Sequence, residues 1–197
     1  MSLESDSSAL IAFYTGEGFD PHGRTFTSLL AFDDNQLEEE HNFVQYLFPL
    51  HQPSSMINDA PVLTPELALL LSSNPIARDR FLAAIRLFRR FLGVTPEDTA
   101  IIAPGIGIPF IEPIQALSHQ KLSLWLHEGG HNTLRVTRII RSLRLVGLEA
   151  EALSFYQDVS AEGRRAGLGP RTLSYWRRAA EGALFDRMQG DPTTYMV

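Results

Sequence analysis

An all-α fold, a single helical domain of about seven to nine helices, follows from three features of the sequence. Apolar residues recur at helical spacing in several long segments. Proline and glycine fall where helices begin and end rather than inside them. No segment sustains the apolar–polar alternation of a half-buried strand. A hydrophobic content of 44% over 197 residues is enough for a sizeable core.

In chain order, residues 1–8 are expected to fray, and Ser8–Tyr14 to form a short apolar helix stopped by Thr15–Gly18. Asp20-Pro21-His22-Gly23-Arg24 reads as a turn, with proline fixing φ and glycine allowing positive φ. Thr25–Phe32 is a short helix or an extended segment. Asp33, Asp34 or Asn35 then caps a helix over Leu37–Leu47, in which Leu37, His41, Val44 and Phe48 share one face. Pro49 ends it. Pro53–Pro61 is a loop. Thr64-Pro65 and Ser73/Asn74-Pro75 each place a cap before a proline in the first helical position. The second of these starts a helix to Leu92 that Gly93 closes. Thr95-Pro96-Glu97-Asp98 starts another short helix. The Pro/Gly-rich run 103–113 has no regular structure but is apolar enough to pack over the core. A helix over Ser118–His127 is followed by Asn132–Val146, with Val136, Ile139, Ile140 and Leu143 inward and Arg141 and Arg144 outward. Gly147 ends that helix. Leu148–Arg165 and Arg171–Met188 complete the set, and residues 189–197 are expected to fray.

Composition narrows the function classes. There is no cysteine, which removes disulfides, thiolate catalysis and Cys-ligated zinc, and fits a cytoplasmic protein. No apolar run reaches bilayer-spanning length, so no membrane partner is expected. Net charge is −6, divided into −10 over residues 1–66 and +4 over 67–197. A net-acidic chain without interleaved basic and aromatic residues argues against nucleic acid. No phosphate-binding glycine loop, nucleophile elbow or dinucleotide fingerprint is present, so no cofactor is expected. His127-Glu128-Gly129-Gly130-His131 matches the H-E-x-x-H zinc string. Paired glycines cost a helix about 1 kcal/mol each, and Asn132 looks like the cap of the next helix. The string therefore reads as a loop, and no metal is expected.

The chemistry-bearing candidates lie elsewhere. His41 interrupts an apolar stripe and is a candidate partly buried acid/base, with Glu38 and Gln45 about one turn to either side. Asn132, Arg135 and Arg138 lie on or beside the inward face of their helix, where a guanidinium fork suits an anionic oxygen. Pairing of these arginines with the acidic N-terminal layer is the competing structural role. Arg24 is the only cation in residues 1–66 and either is neutralised locally or reaches a pocket. Tyr14, Tyr46 and Trp125 are core or pocket-lining aromatics. Buried polar groups need partners, so the expected pocket lies between the helix bearing His41 and Gln45 and the helix bearing Asn132, Arg135 and Arg138, walled by 103–113.

Two runs also carry a resemblance. His41-Asn42-Phe43-Val44-Gln45-Tyr46-Leu47-Phe48-Pro49-Leu50 resembles the His-x-x-Ile-Gln-Trp-Leu-Phe-Pro signature of the opioid growth factor receptor (OGFr) conserved region. His131–Leu143, followed by Gly147-Leu148-Glu149, is similar to that family's second hallmark, and Ala60–Thr64 to the linker after the first. Tyr46 departs from the usual tryptophan, and 103–125 shows no match. The resemblance implies a receptor or interaction protein with a peptide ligand in animals. It also implies short stand-alone members, which this chain resembles. Some fungal ones are similar to cofactor-free cyclases that close a dihydrofuran ring in phenalenones by adding a phenol oxygen across a prenyl alkene. In that reading the partner is a hydrophobic aromatic small molecule, His41 is the acid, and Arg24, Arg135 or Arg138 steers the phenolate. A non-catalytic ligand- or peptide-binding module and a structural domain remain as alternatives. Oligomeric state is open, a homodimer included.

Overall fold

The computed structural model describes residues 3–55, 57–94 and 121–184. The described residues are almost entirely helical or loop; the one β feature among them is an isolated parallel bridge between Leu50 and Val62. The helices are α1 (Leu3–Thr15), α2 (Phe26–Leu30), α3 (Asp34–Glu39), α4 (Val44–Leu47), α5 (Pro65–Ser73), α6 (Pro75–Leu92), α7 (helical residues 121–125), α8 (His131–Leu145), α9 (Glu149–Arg165) and α10 (Pro170–Glu181). The fold is all-α as expected, with slightly more helices than the sequence suggests.

Local chemistry sets most helix ends. Asp33 and Gln36 form a reciprocal capping box on α3. Thr64 and Asn74 accept from the backbone N–H groups of Leu67 and Ala77, each just before a proline in the first turn. Gly93 and Gly147 close α6 and α8 at φ +72° and +73°, a conformation that costs other residues. Phe48, ahead of Pro49, leaves helical geometry at φ −140°, ψ 73°.

Two helical layers share one core. α1, α2 and α5 pack on α6, while α8, α9 and α10 pack on one another. Tyr14 stacks on Phe81 at 4.6 Å between ring centroids, and Phe43 and Phe48 both pack on Phe88. Arg89 of α6 joins the layers by pairing with Asp158 and donating to Ser154 of α9. Leu37, Val44, Phe48, Phe81, Ile85, Phe88, Val136, Ile139, Ile140 and Leu143 are all buried, as their spacing predicts. Trp176 of α10 is fully buried and donates its indole N–H to Thr133 O of α8 at 2.8 Å.

Several expectations need correction. α1 already begins at Leu3, so residues 3–8 are helical rather than frayed. The last helix ends at Glu181, not Met188. α8 starts after Gly130, with His131 in its first position, so Asn132 is not the cap. Arg141 and Arg144 do not face solvent. Arg141 is buried and donates to Ala183 O at 3.2 Å, and Arg144 donates to Ala179 O and Gly182 O at 2.9 Å each. Their guanidiniums supply donors and positive charge to the otherwise orphaned carbonyl end of α10. The largest correction concerns Leu37–Leu47, which is two short helices with a break over residues 40–43. The expected helix at 95–98, the run 103–113 and the tail 189–197 lie outside the described residues.

Candidate functional site

The break between α3 and α4 is made by a residue far away in sequence. A continuous helix would use Leu37 O to accept from the N–H of His41 and Glu40 O from that of Val44. Both carbonyls instead accept from Arg135 of α8, at 2.5 and 2.6 Å. Glu38, Glu39 and Glu40 add negative charge at the carbonyl end of α3, where the dipole disfavours it. Arg24 holds the other side of the break by donating to Asn42 Oδ1 (2.9 Å) and Asn42 O (3.2 Å). Asp20 pairs with Arg24 at 2.7 Å, so this cation is neutralised locally rather than presented to a pocket.

The same pattern continues below the break. Arg138 donates to Phe48 O at 3.2 Å, and the Tyr14 hydroxyl donates to Tyr46 O and Leu47 O at 3.1 and 2.9 Å. Gln45 is fully buried and donates to His41 O at 3.3 Å, while its Oε1 meets no hydrogen-bond donor among the described residues. The Tyr46 hydroxyl donates to Asp59 O at 2.8 Å. Trp125 caps α6 by donating to Leu92 O at 2.9 Å. Burial holds the Tyr14 and Tyr46 phenols well above the usual tyrosine range, so neither ionises near neutral pH. These aromatics are core residues with a polar tip that finds a backbone partner.

A smaller set of polar side chains lies at the seam between α3 and the start of α8. Asn132 Nδ2 donates to Glu38 Oε2 at 2.8 Å, and Asn132 Oδ1 accepts from Arg135 at 3.0 Å. His131 Nε2 approaches Glu38 Oε1 at 3.2 Å without hydrogen-bond geometry. The His41 and His131 rings are 5.2 Å apart between centroids. Burial, then Arg135, lowers the His131 pKa below its usual value despite the pull of Glu38, so the ring is neutral at pH 7. Burial lowers the Arg135 pKa to about 10, and the guanidinium stays charged at neutral pH.

The sequence-predicted residues therefore divide. Glu38, His41, Asn132 and Arg135 meet at the seam. Arg24, Gln45 and Arg138 lie behind it, and Tyr14, Tyr46 and Trp125 support the core. His41 is exposed rather than partly buried, because the break turns it out of the apolar stripe. His131 belongs to the seam, and sequence reasoning missed it by assigning it to the H-E-x-x-H string. Its place directly before Asn132 was the available signal. His127–Gly130 forms a turn, and among the described residues no group of metal-ligating side chains is arranged to hold an ion.

The match to known proteins spans both of the runs that meet at this seam. The opioid growth factor receptor (OGFr) conserved region matches residues 4–159. The chain belongs to this family. The opioid growth factor receptor of Homo sapiens is 33% identical over 143 residues, 71% of this chain and 20% of the relative. That of Mus musculus is 33% identical over the same length, 71% of this chain and 21% of the relative. The opioid growth factor receptor-like protein 1 of Rattus norvegicus is 30% identical over 119 residues, 60% of this chain and 23% of the relative. The chain thus spans about a fifth of the length of the curated relatives it matches. No solved structure matches it. Among the described residues no helix is long and apolar enough to cross a membrane.

Proposed function

We propose that this chain is a ligand- or peptide-binding module of the OGFr type, with its recognition face at the Glu38–His41–His131 seam. The observation that carries the reading is the state of Glu38. Its carboxylate is exposed, the imidazole against it has a lowered pKa, and the Arg135 guanidinium is turned to backbone carbonyls and Asn132 rather than paired with it. It is suited to a ligand ammonium, with the two imidazole rings beside it offering flat faces to an aromatic or aliphatic side chain. Arg135 and Asn132 fix the seam from behind, so the face is pre-organised. A cytoplasmic location, in keeping with the absence of cysteine, is part of the same reading.

The test uses opioid growth factor, the peptide in the relatives' name, in isothermal titration, beside the same peptide with its amino terminus acetylated. Saturable binding is expected. It should weaken about tenfold on acetylation and on Glu38→Gln, a loss of about 1.4 kcal/mol. Binding that ignores both changes would place recognition elsewhere, and no binding at all would remove this peptide as the ligand.

A cofactor-free cyclase acting on a prenylated aromatic phenol is the second reading, and the exposed His41 imidazole is what favours it, since a proton donor must reach substrate. The phenolate-steering part of that chemistry has less support, because Arg24, Arg135 and Arg138 are engaged by Asp20 and by backbone carbonyls. Turnover of a prenylated phenol that disappears in His41→Ala with an unchanged melt would favour this reading over the first.

A further inference from the structure

We infer that His22 is a pH-sensitive switch: neutral, it holds Asn42, and protonated, it pairs with Asp59 and fastens the 20–24 turn to the loop that carries Asp59. The backbone of the turn is clamped. The Asp20 carboxylate is buried, and its Oδ1 accepts from the backbone N–H groups of His22 and Arg24 at 2.9 Å each. Its Oδ2 pairs with Arg24 Nε at 2.7 Å. Asp20 N–H donates to Arg24 O and Gly23 N–H to Asp20 O, both at 2.9 Å. The His22 side chain is exposed on this fixed base, so its own torsions are what can change.

Donor chemistry sets the tautomer of the ring. A guanidinium only donates, so the Asn42 atom that meets Arg24 Nη1 at 2.9 Å is Oδ1. The other amide atom is therefore Nδ2, and it faces His22 Nε2 at 3.3 Å. An amide nitrogen only donates as well, so Nε2 must accept and the imidazole carries its proton on Nδ1. Asn42 cannot turn over to suit a protonated ring, because its NH2 would then face the guanidinium. A proton on Nε2 sets two donors against each other and ends this hydrogen bond. The alternative is at hand: Asp59 Oδ2 is 3.8 Å from the same nitrogen. That is too far for a hydrogen bond as it stands, and the pairing gains strength only when the ring is charged. The other charged groups facing the ring are Asp20 and Arg24 of its own turn, and they neutralise each other. The Tyr46 phenol, beside Asp59, donates to Asp59 O at 2.8 Å and stays protonated. One ring nitrogen thus has two neighbours of opposite demand, and protonation decides between them. Asn42 follows His41 in the break, so the exchange leaves this part of the break held by Arg24. The exchange is the same whatever the seam binds.

Nitrogen-resolved NMR of the imidazole, the Asn42 side-chain amide and the backbone amides tests the inference on the full chain, from pH about 8 to about 5. At the alkaline end His22 should show the Nδ1–H tautomer. On acidification the Asn42 NH2 signals and the backbone amides of Ile57, Asp59 and Ala60 should shift with the same midpoint as the His22 ring. His22→Gln supplies a side chain that hydrogen-bonds either way but does not titrate, and it should lose both responses. Asp59→Asn should keep the Asn42 response and lose that of the loop. Both residues are exposed, so each variant should keep the wild-type melt. An Nε2–H tautomer at the alkaline end would overturn the inference, as would Asn42 signals that ignore the His22 titration. So would a loop response that survives either variant, since another titrating group would then be its source.

Discussion

Replacing Arg135 by methionine should cost the fold about 2–7 kcal/mol, and the structure supplies both sides of that figure. The guanidinium donates to Leu37 O, Glu40 O and Asn132 Oδ1. Hydrogen bonds from a charged group are worth about 1.5–3 kcal/mol each, or about 4–9 together. Its position over the Phe43 ring, 5.6 Å from the centroid, adds about 0.5–1 kcal/mol. Against this stands the penalty for burying the charge. The fall of its pKa from 12.5 to about 10 corresponds to about 3 kcal/mol, which the substitution recovers. The melting temperature should drop by about 10 °C, at about 2–4 °C per kcal/mol for a chain of this size. Calorimetry and urea titration would measure it, with the exposed Arg86→Met as a control expected to stay within about 0.5 kcal/mol. Amide exchange at His41 and Val44 gives a more specific readout, because the freed carbonyls become available to those N–H groups. If Arg135→Met melts with the wild type, the break is set by local sequence and the account of it here is wrong.

Other outcomes follow from particular contacts. Ile140→Ala should destabilise by about 2–5 kcal/mol, measured by denaturant titration, because Ile140 is fully buried on α8. Gly163→Ala should cost about 1–3 kcal/mol, since an added Cβ would meet Trp176 Cζ3 at 3.1 Å and Leu173 Cδ2 at 3.2 Å where α9 approaches α10. Stability should decline as pH falls below about 6.5. His131, facing Arg135, Glu38, His41 and His127, has a lowered folded pKa, so the unfolded chain takes up its proton first and the loss stops once the folded ring is protonated. Urea midpoints at pH 7.5 and 5.5 would show a smaller drop in His131→Asn than in the wild type.

How much of this was legible in the sequence depends on where each partner lies. The caps at Asp33, Thr64, Asn74 and Gly93 involve residues within one turn; Thr64 and Gly93 stand where the sequence puts them, and Asp33 and Asn74 are each among the candidates it offers. The inward stripe of α8 is equally local, since 3.6-residue spacing fixes which residues share a face. The arginines of α8 were not legible in this way. Periodicity says that Arg141 and Arg144 lie off the apolar stripe. It cannot say that α9 and α10 cover α8 on its remaining sides and leave a carbonyl terminus there for them to cap. Nor does any local signal in 37–47 report that Arg135, about a hundred positions on, will take the carbonyls a helix needs.

That long-range theft gives the two signature runs a common explanation. Residues 40–43 leave helical geometry and α4 is a single turn that ends at Phe48, so the carbonyls of this stretch must find other donors. Leu37 and Glu40 find Arg135, Asn42 finds Arg24, Tyr46 and Leu47 find Tyr14, and Phe48 finds Arg138. Arg135 and Arg138 of the second run, with Arg24 and Tyr14, therefore supply the hydrogen-bond donors that the stretch around the first run needs. Scaffold use of this kind accounts for Arg135, Arg138, Tyr14 and Arg24. It does not account for His41, which the break turns outward, or for the exposed Glu38 carboxylate. His41 owes its position to the irregular backbone and Glu38 to the last turn of α3, and neither side chain donates to the carbonyls of the break. Function is best sought in residues of that description, and it is why recognition is assigned to them rather than to the buried arginines.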